Sequence, residues 1–159
     1  LPEKVYAENA DFYFDRAFEK AKRGDHYGAI SDYNKSIKLN QLSKNSLAAA
    51  FYNRGREKSF IKDYVGALSD FNKAININPN VADYYVFRGN TKGRLYKDEY
   101  GAISDYTKAI EIDPNNKIAF KNRGISKEII GDLQGACSDW EEASFLGDKD
   151  SFNWKNDQC

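Results

Sequence analysis

The feature that most limits what this chain can fold into is that it repeats itself. Gly28-Ala29-Ile30-Ser31-Asp32-Tyr33, Gly66-Ala67-Leu68-Ser69-Asp70-Phe71, Gly101-Ala102-Ile103-Ser104-Asp105-Tyr106 and Gly135-Ala136-Cys137-Ser138-Asp139-Trp140 follow one pattern, with alanines 38, 35 and 34 residues apart. A second shared block precedes each: Asp15-Arg16-Ala17, Asn53-Arg54-Gly55, Phe87-Arg88-Gly89 and Asn122-Arg123-Gly124, followed by Lys20, Lys58, Lys92 and Lys127. A repeat this short buries its apolar face only against its neighbours, so four copies form one cooperative body. The expected organisation is a single domain over 1–159, with repeats at about 10–45, 46–81, 82–116 and 117–148.

Each repeat reads as two helices, because apolar and small residues recur at three- and four-residue spacing on both sides of a break. Phe51, Gly55 and Lys58 form one stripe, and Phe71, Ala74 and Ile75 another. The breaks carry Asp25, Asp63, Asp98 and Asp132, whose carboxylates can accept from the unpaired amides that open a helix. Pro79 and Pro114 close two of the second helices, since proline lacks the amide that a continuing helix needs. One extra residue between Lys92 and Asp98 falls near the end of a first helix or in its turn, and a longer insertion around Gln41, Leu42, Ser43 and Lys44 reads as an inter-repeat loop. Residues 3–9 continue a helical pattern into the first repeat, and residues 149–158 read as a final solvating helix over the last one.

A unit of about 34 residues with two helices, small residues in both and a terminal Pro resembles the tetratricopeptide repeat. The resemblance spans roughly residues 10–148. The family's W-x2-L-G-x2-Y stretch is similar to Phe51-x2-Arg54-Gly55-x2-Lys58, Tyr85-x2-Arg88-Gly89-x2-Lys92 and Phe120-x2-Arg123-Gly124-x2-Lys127, and its later positions fall on Ala67, Phe71 and Ala74. Arg stands for the usual Leu and Lys for the usual Tyr, and the first repeat has Ser36 for Ala and no closing Pro. The resemblance implies an all-α fold, a right-handed α-solenoid of four helix hairpins plus a C-terminal capping helix.

Each substituted Arg has an Asp in the second helix of its own repeat: Arg16 and Asp32, Arg54 and Asp70, Arg88 and Asp105, Arg123 and Asp139. A guanidinium entering a helix interface needs an acceptor, so four structural ion pairs are expected, made within a hairpin or to the Asp of an adjacent repeat. The four shared lysines replace a partly buried aromatic, and the expectation is that their stems cover apolar surface while the ammoniums stay in water.

Positions that recur serve packing, and unshared ones are free to recognise something. The resemblance implies that first helices line a concave groove, which would receive Phe14, Asp15, Phe18 and Lys22, then Tyr52, Asn53, Arg56 and Phe60. Val86, Phe87, Asn90 and Arg94 follow, then Lys121, Asn122, Ile125 and Ile129. Alternating aromatics, amides and cations suit an extended peptide. The competing reading is that the aromatics pack between neighbouring helices. Some family members clamp the C-terminal carboxylate of heat-shock chaperones with two Lys, two Asn and one Arg; here Asn53 matches, whereas Phe14, Phe18, Asp83 and Phe87 occupy the other places. Chaperone-tail binding is not expected.

The sequence carries no Gly-rich phosphate loop ending in Lys-Ser or Lys-Thr, no His-Glu-x-x-His and no nucleophile elbow. The single histidine, His26, falls in an inter-helix turn. Neither cofactor nor metal is implied. With 24 basic and 24 acidic residues the formal charge is zero, which removes the general attraction to nucleic acid or anionic lipid, and no stretch approaches a bilayer span. The expected function is a non-catalytic protein–protein interaction module that takes a peptide or partner protein; the second reading is a self-assembling, homo-oligomeric scaffold. The tail from Gly135 to Cys159 resembles the ends of some bacterial tetratricopeptide proteins, and its two cysteines, Cys137 and Cys159, are either a disulfide or two small buried thiols. A bridge would imply export, and thiols leave the chain cytoplasmic. The chain opens at Leu1 and lacks Met, so the expectation is a trimmed N-terminus, with any signal peptide outside the sequence.

Overall fold

The structure, a computed structural model, describes residues 8–159, all-α among them and dividing into two compact units that meet at Pro79 and Asn80. The first unit holds α1 (Ala10–Lys22), α2 (His26–Leu39), α3 (Lys44–Phe60) and α4 (Tyr64–Ile77). The second holds α5 (Ala82–Tyr96), α6 (Glu99–Ile112), α7 (Lys117–Ile129), α8 (Leu133–Phe145) and α9 (Lys149–Gln158). Each pair from α1–α2 to α7–α8 is one repeat, and α9 occupies the expected capping segment. Of the helical pattern expected over 3–9, residues 3–7 lie outside the described residues; Asn9 is the N-cap of α1, accepting from the Phe12 amide.

All four hairpins turn by one device. Asp25, Asp63, Asp98 and Asp132 accept from the amides of Gly28, Gly66, Gly101 and Gly135 at 2.8–2.9 Å, and each such cap contributes about 1 kcal/mol. Glycine recurs there because a Cβ on Gly28 would lie 2.0 Å from Asp25 Oδ2. The residue before each cap is left-handed: Gly24, Lys62, Lys97 and Gly131. The extra residue of the third repeat lengthens α5, which runs to Tyr96 and leaves one residue, Lys97, before its cap where the other hairpins have two. The longer insertion is the Asn40–Ser43 loop, and Ser43 caps α3.

The recurring residues form the interior. Ala17, Ala29, Ala67, Ala74, Ala102, Ala109, Ala136 and Ala143 are fully buried, as are Tyr33, Phe71 and Trp140 at one register of the second helices. The small position opposite that aromatic is set by contact: a Cβ on Gly124 would stand 2.5 Å from Trp140 Nε1. Ser36, which replaces an alanine in α2, is buried and donates through Oγ to the Ala10 carbonyl at 2.6 Å.

Every Arg is bonded to the Asp of its own hairpin through two nitrogens. Arg16 reaches Asp32 at 2.7 and 2.7 Å, Arg54 reaches Asp70 at 2.8 and 2.6 Å, Arg88 reaches Asp105 at 3.0 and 2.6 Å, and Arg123 reaches Asp139 at 2.9 and 2.7 Å. Such bonds also bridge hairpins: Arg54 Nη1 donates to Asn34 at 2.6 Å and Arg123 Nη1 to Thr107 Oγ1 at 3.1 Å. The lysines depart from expectation. Their ammoniums are not simply in water: Lys20, Lys58, Lys92 and Lys127 place Nζ 2.8–2.9 Å from Oδ2 of the same four aspartates. The reason is that a carboxylate at most 3% exposed needs more than one cation to offset its lost hydration, and the position four residues after Arg on the helix reaches it. Hydrogen bonds from Arg16, opposed by burial and helped by Lys20, hold the Asp32 carboxyl down at about 2.

At the C-terminus, Trp154 of α9 meets Trp140 at 5.6 Å, Lys155 Nζ lies 2.8 Å from Glu141 Oε1, and Cys159 is bridged to Cys137 with Cα atoms 5.9 Å apart. The bridge joins residues 22 apart, and in the chain-entropy model such a link contributes about 3 kcal/mol. No helix among the described residues is long and apolar enough to cross a membrane.

Removing the shared carboxylate leaves Arg54 and Lys58 facing each other at the hairpin interface, so Asp70→Ala should lower unfolding free energy by about 3 kcal/mol in urea melts. For Asp32, a folded value below the ordinary 3.8 means the stabilisation is complete above that value and is lost as pH falls toward 2. The stability gap between the natural chain and Asp32→Asn should therefore narrow by about 2 kcal/mol between pH 5 and pH 2.

Candidate binding clefts between first helices

Helical spacing puts residues i, i+3, i+4 and i+7 of a first helix on one side, and in each unit two first helices run past each other above a second helix. In the first unit this makes a cleft of about 180 Å³ lined by Phe18, Ala21 and Lys22 of α1, His26 and Tyr33 of α2, and Asn53, Arg56, Glu57 and Phe60 of α3. In the second unit the corresponding cleft, about 330 Å³, is lined by Asn90, Gly93 and Arg94 of α5, Lys97, Glu99 and Tyr106, and Asn122, Ile125, Ser126 and Ile129 of α7. Aligned by repeat, every residue of the first lining has a counterpart in the second, which adds Lys97: Phe18 with Asn90, Ala21 with Gly93, Lys22 with Arg94, His26 with Glu99, Tyr33 with Tyr106, Asn53 with Asn122, Arg56 with Ile125, Glu57 with Ser126 and Phe60 with Ile129.

The chemistry of the two clefts differs. In the first, His26 Nδ1 donates to Glu57 Oε2 at 2.7 Å, and the imidazole stacks on Phe60 with centroids 4.8 Å apart. Glu57 is only 5% exposed. Lys22 Nζ sits 4.5 Å from the centre of the Phe18 ring while pairing with Glu19, and the Arg56 guanidinium lies 5.7 Å from the Tyr52 ring. The Tyr33 hydroxyl is buried without a hydrogen-bond partner among the described residues, and burial pushes its titration above the ordinary tyrosine value. In the second cleft the polar groups pair with one another. Tyr106 Oη donates to Asn90 Oδ1 at 2.7 Å, Asn122 Nδ2 donates to the same oxygen at 2.9 Å, and Ser126 Oγ donates to Glu99 Oε2 at 2.7 Å.

Of the residues expected to face a groove, Phe18, Lys22, Asn53, Arg56 and Phe60 come together in the first cleft and Asn90, Arg94, Asn122, Ile125 and Ile129 in the second. Four of the others do something else. Phe14 packs edge-on against Tyr33 at 5.6 Å, Tyr52 lies against Phe71 at 6.1 Å, and Val86 is 3% exposed. Lys121 is drawn to the cap, with Nζ 3.1 Å from Asp148 and 3.0 Å from Asp150. Phe87 is half-buried, its carbonyl accepting from Thr91 Oγ1, and does not line either cleft. The residues missed from sequence are the floor: Tyr33 and Tyr106 occupy a recurring aromatic position and so read as packing, and His26 and Glu57 lie 31 residues apart. The available signal was Glu57 itself, an acid at the position where the later repeats carry Thr91 and Ser126.

Residues 48–81 and 82–116 match the family model of the tetratricopeptide repeat. The chain contains tetratricopeptide repeats. Among solved structures it is similar to MamA, at 23% identity and a TM-score of 0.81 over 94% of this chain and 84% of that one. The tetratricopeptide domain of Arabidopsis OM64 aligns at 24% identity and a TM-score of 0.67, covering 72% of this chain and 95% of that one. The first such domain of Spaghetti (RPAP3), bound to the HSP90 peptide SRMEEVD, aligns at 23% identity and a TM-score of 0.71, covering 81% and 98%. These likenesses show the fold, all-α and built of tetratricopeptide hairpins. No curated protein matches the chain.

The two floor tyrosines should respond oppositely to losing their hydroxyls. Tyr106→Phe takes a donor from Asn90 and should cost about 1 kcal/mol, whereas Tyr33→Phe removes a buried group without a partner and should leave stability unchanged within about 0.5 kcal/mol or raise it, as read from parallel urea melts.

Proposed function

We propose that this chain is a non-catalytic protein-interaction module that binds an extended peptide or a segment of a partner protein on its first helices. The observation that carries the reading is the pair of clefts, which repeat in position and differ in chemistry. A packing device recurs with its residues, as the Arg–Asp–Lys triads do; a cleft whose geometry recurs in each unit while its residues change is suited to recognising a different side chain in each. The peptide bound to the Spaghetti (RPAP3) domain is in keeping with this use of the fold. That peptide itself is not proposed here, because Phe14, Phe18, Asp83 and Phe87 stand where a carboxylate clamp needs cations and an amide.

Binding would need little rearrangement, since the cleft walls are packed helices. The Cys137–Cys159 bridge supports an exported protein, because such bonds persist in oxidising compartments. The test is capture by the immobilised chain from a lysate of its source organism. Replacing one cation in each cleft, Arg56→Ala with Arg94→Ala, should reduce captured partner at least tenfold and shift Tm by no more than a few degrees. Undiminished capture would place recognition elsewhere on the molecule.

A further inference from the structure

We infer that the first-unit cleft is a pocket for one carboxamide side chain, asparagine or glutamine, of the bound partner. This deepens the interaction-module reading and rests on it. The starting point is the difference between two equivalent tyrosines. Tyr106 is satisfied by Asn90. At the position of Asn90 the first repeat carries Phe18, which has nothing to accept with, and the Tyr33 hydroxyl is left buried with no partner among the described residues although the residue is 0% exposed. Buried hydroxyls are nearly always paired, so an unpaired one lining a cleft marks where an outside group belongs.

The second feature is Glu57. Its Oε2 takes the bond from His26, which leaves Oε1 as an acceptor in a residue that is 5% exposed. Beside Lys22, Asn53 and Arg56, the cleft thus offers a donor in the Tyr33 hydroxyl, kept protonated by burial, and an acceptor in the Glu57 carboxylate. Its volume of about 180 Å³ is below the roughly 300–1,000 Å³ of small-molecule pockets and suits a single side chain.

Charge then selects the occupant. Both signs line the cleft, Arg56 and Lys22 with Glu57, so a charged side chain of either sign meets a like charge there as well as an opposite one. A carboxamide carries no net charge and has both functions: its carbonyl accepts from Tyr33 and its NH2 donates to Glu57. Phe18 and Phe60, both exposed at the rim, can cover the aliphatic stem of that side chain.

His26 is the only histidine, so its ring protons report on the cleft without overlap. The full chain is titrated in NMR with N-acetyl-glutamine N-methylamide and with the asparagine, glutamate and lysine counterparts as probes. The glutamine or asparagine probe should shift His26 saturably, with at least tenfold weaker binding of the glutamate and lysine probes. Tyr33→Phe should weaken carboxamide binding at least tenfold. Phe18→Asn, a change at an exposed position that rebuilds the Asn90 arrangement, should do the same by giving Tyr33 an internal partner. Equal binding of the charged probes, undiminished binding by both variants, or no saturable shift with any probe, as a cleft holding water alone would give, overturns the assignment. Loss of partner capture in the Arg56 and Arg94 variant beside a silent His26 would sink the pocket and leave the module; undiminished capture would place recognition outside the clefts and sink the cleft reading on which the pocket rests.

Discussion

The architecture depends on how a buried carboxylate is neutralised. Asp32, Asp70, Asp105 and Asp139 sit at hairpin interfaces at most 3% exposed, where an unpaired charge would cost several kcal/mol. Each is held by a two-pronged Arg and by a Lys one helical turn further along, so a single second-helix residue fixes two first-helix residues in register. Planar guanidinium geometry makes that clasp directional in a way that a Leu and Tyr in the same places would not be. Around it the small residues and the recurring second-helix aromatic complete the interior.

With register fixed by shared residues, the unshared ones are left to vary on a rigid scaffold. The two clefts are the outcome. Both have a tyrosine floor, and both draw on the same helical positions, yet one closes its polar groups on one another and the other leaves a hydroxyl over. The presence of Phe18 at the position of Asn90 separates a floor tyrosine that has a partner from one left without one among the described residues. The lining of such a cleft can be altered by one side chain without touching the clasp beneath it.

Not every unshared residue escapes the scaffold. Lys121 belongs by register with Phe14 and Tyr52, but the cap that follows the last repeat supplies Asp148 and Asp150 within 3.1 Å, and the lysine is spent on holding it. Phe14 and Tyr52 likewise lie against Tyr33 and Phe71. The cap itself combines a tryptophan pair, ion pairs and the Cys137–Cys159 bridge on a helix of ten residues, a length at which an isolated helix is marginal in water.

The repeat, the helix pairs, the capping aspartates and the Arg–Asp pairing were legible in the residues, because each follows from local periodicity or from a pattern copied four times. The same logic hid the floor of the clefts: a tyrosine that recurs reads as core whether its hydroxyl is paired or left over, and Lys20 and its equivalents read as solvated until the carboxylate is seen beside them. Whether two cysteines 22 residues apart form a bond, whether His26 meets Glu57 and whether Lys121 faces outward are matters of distance across helices. Local propensity sets where a helix starts and which stripe it buries; which polar atom finds a partner is decided only when packing brings side chains of different helices within about 3 Å of each other, the range over which a hydrogen bond forms.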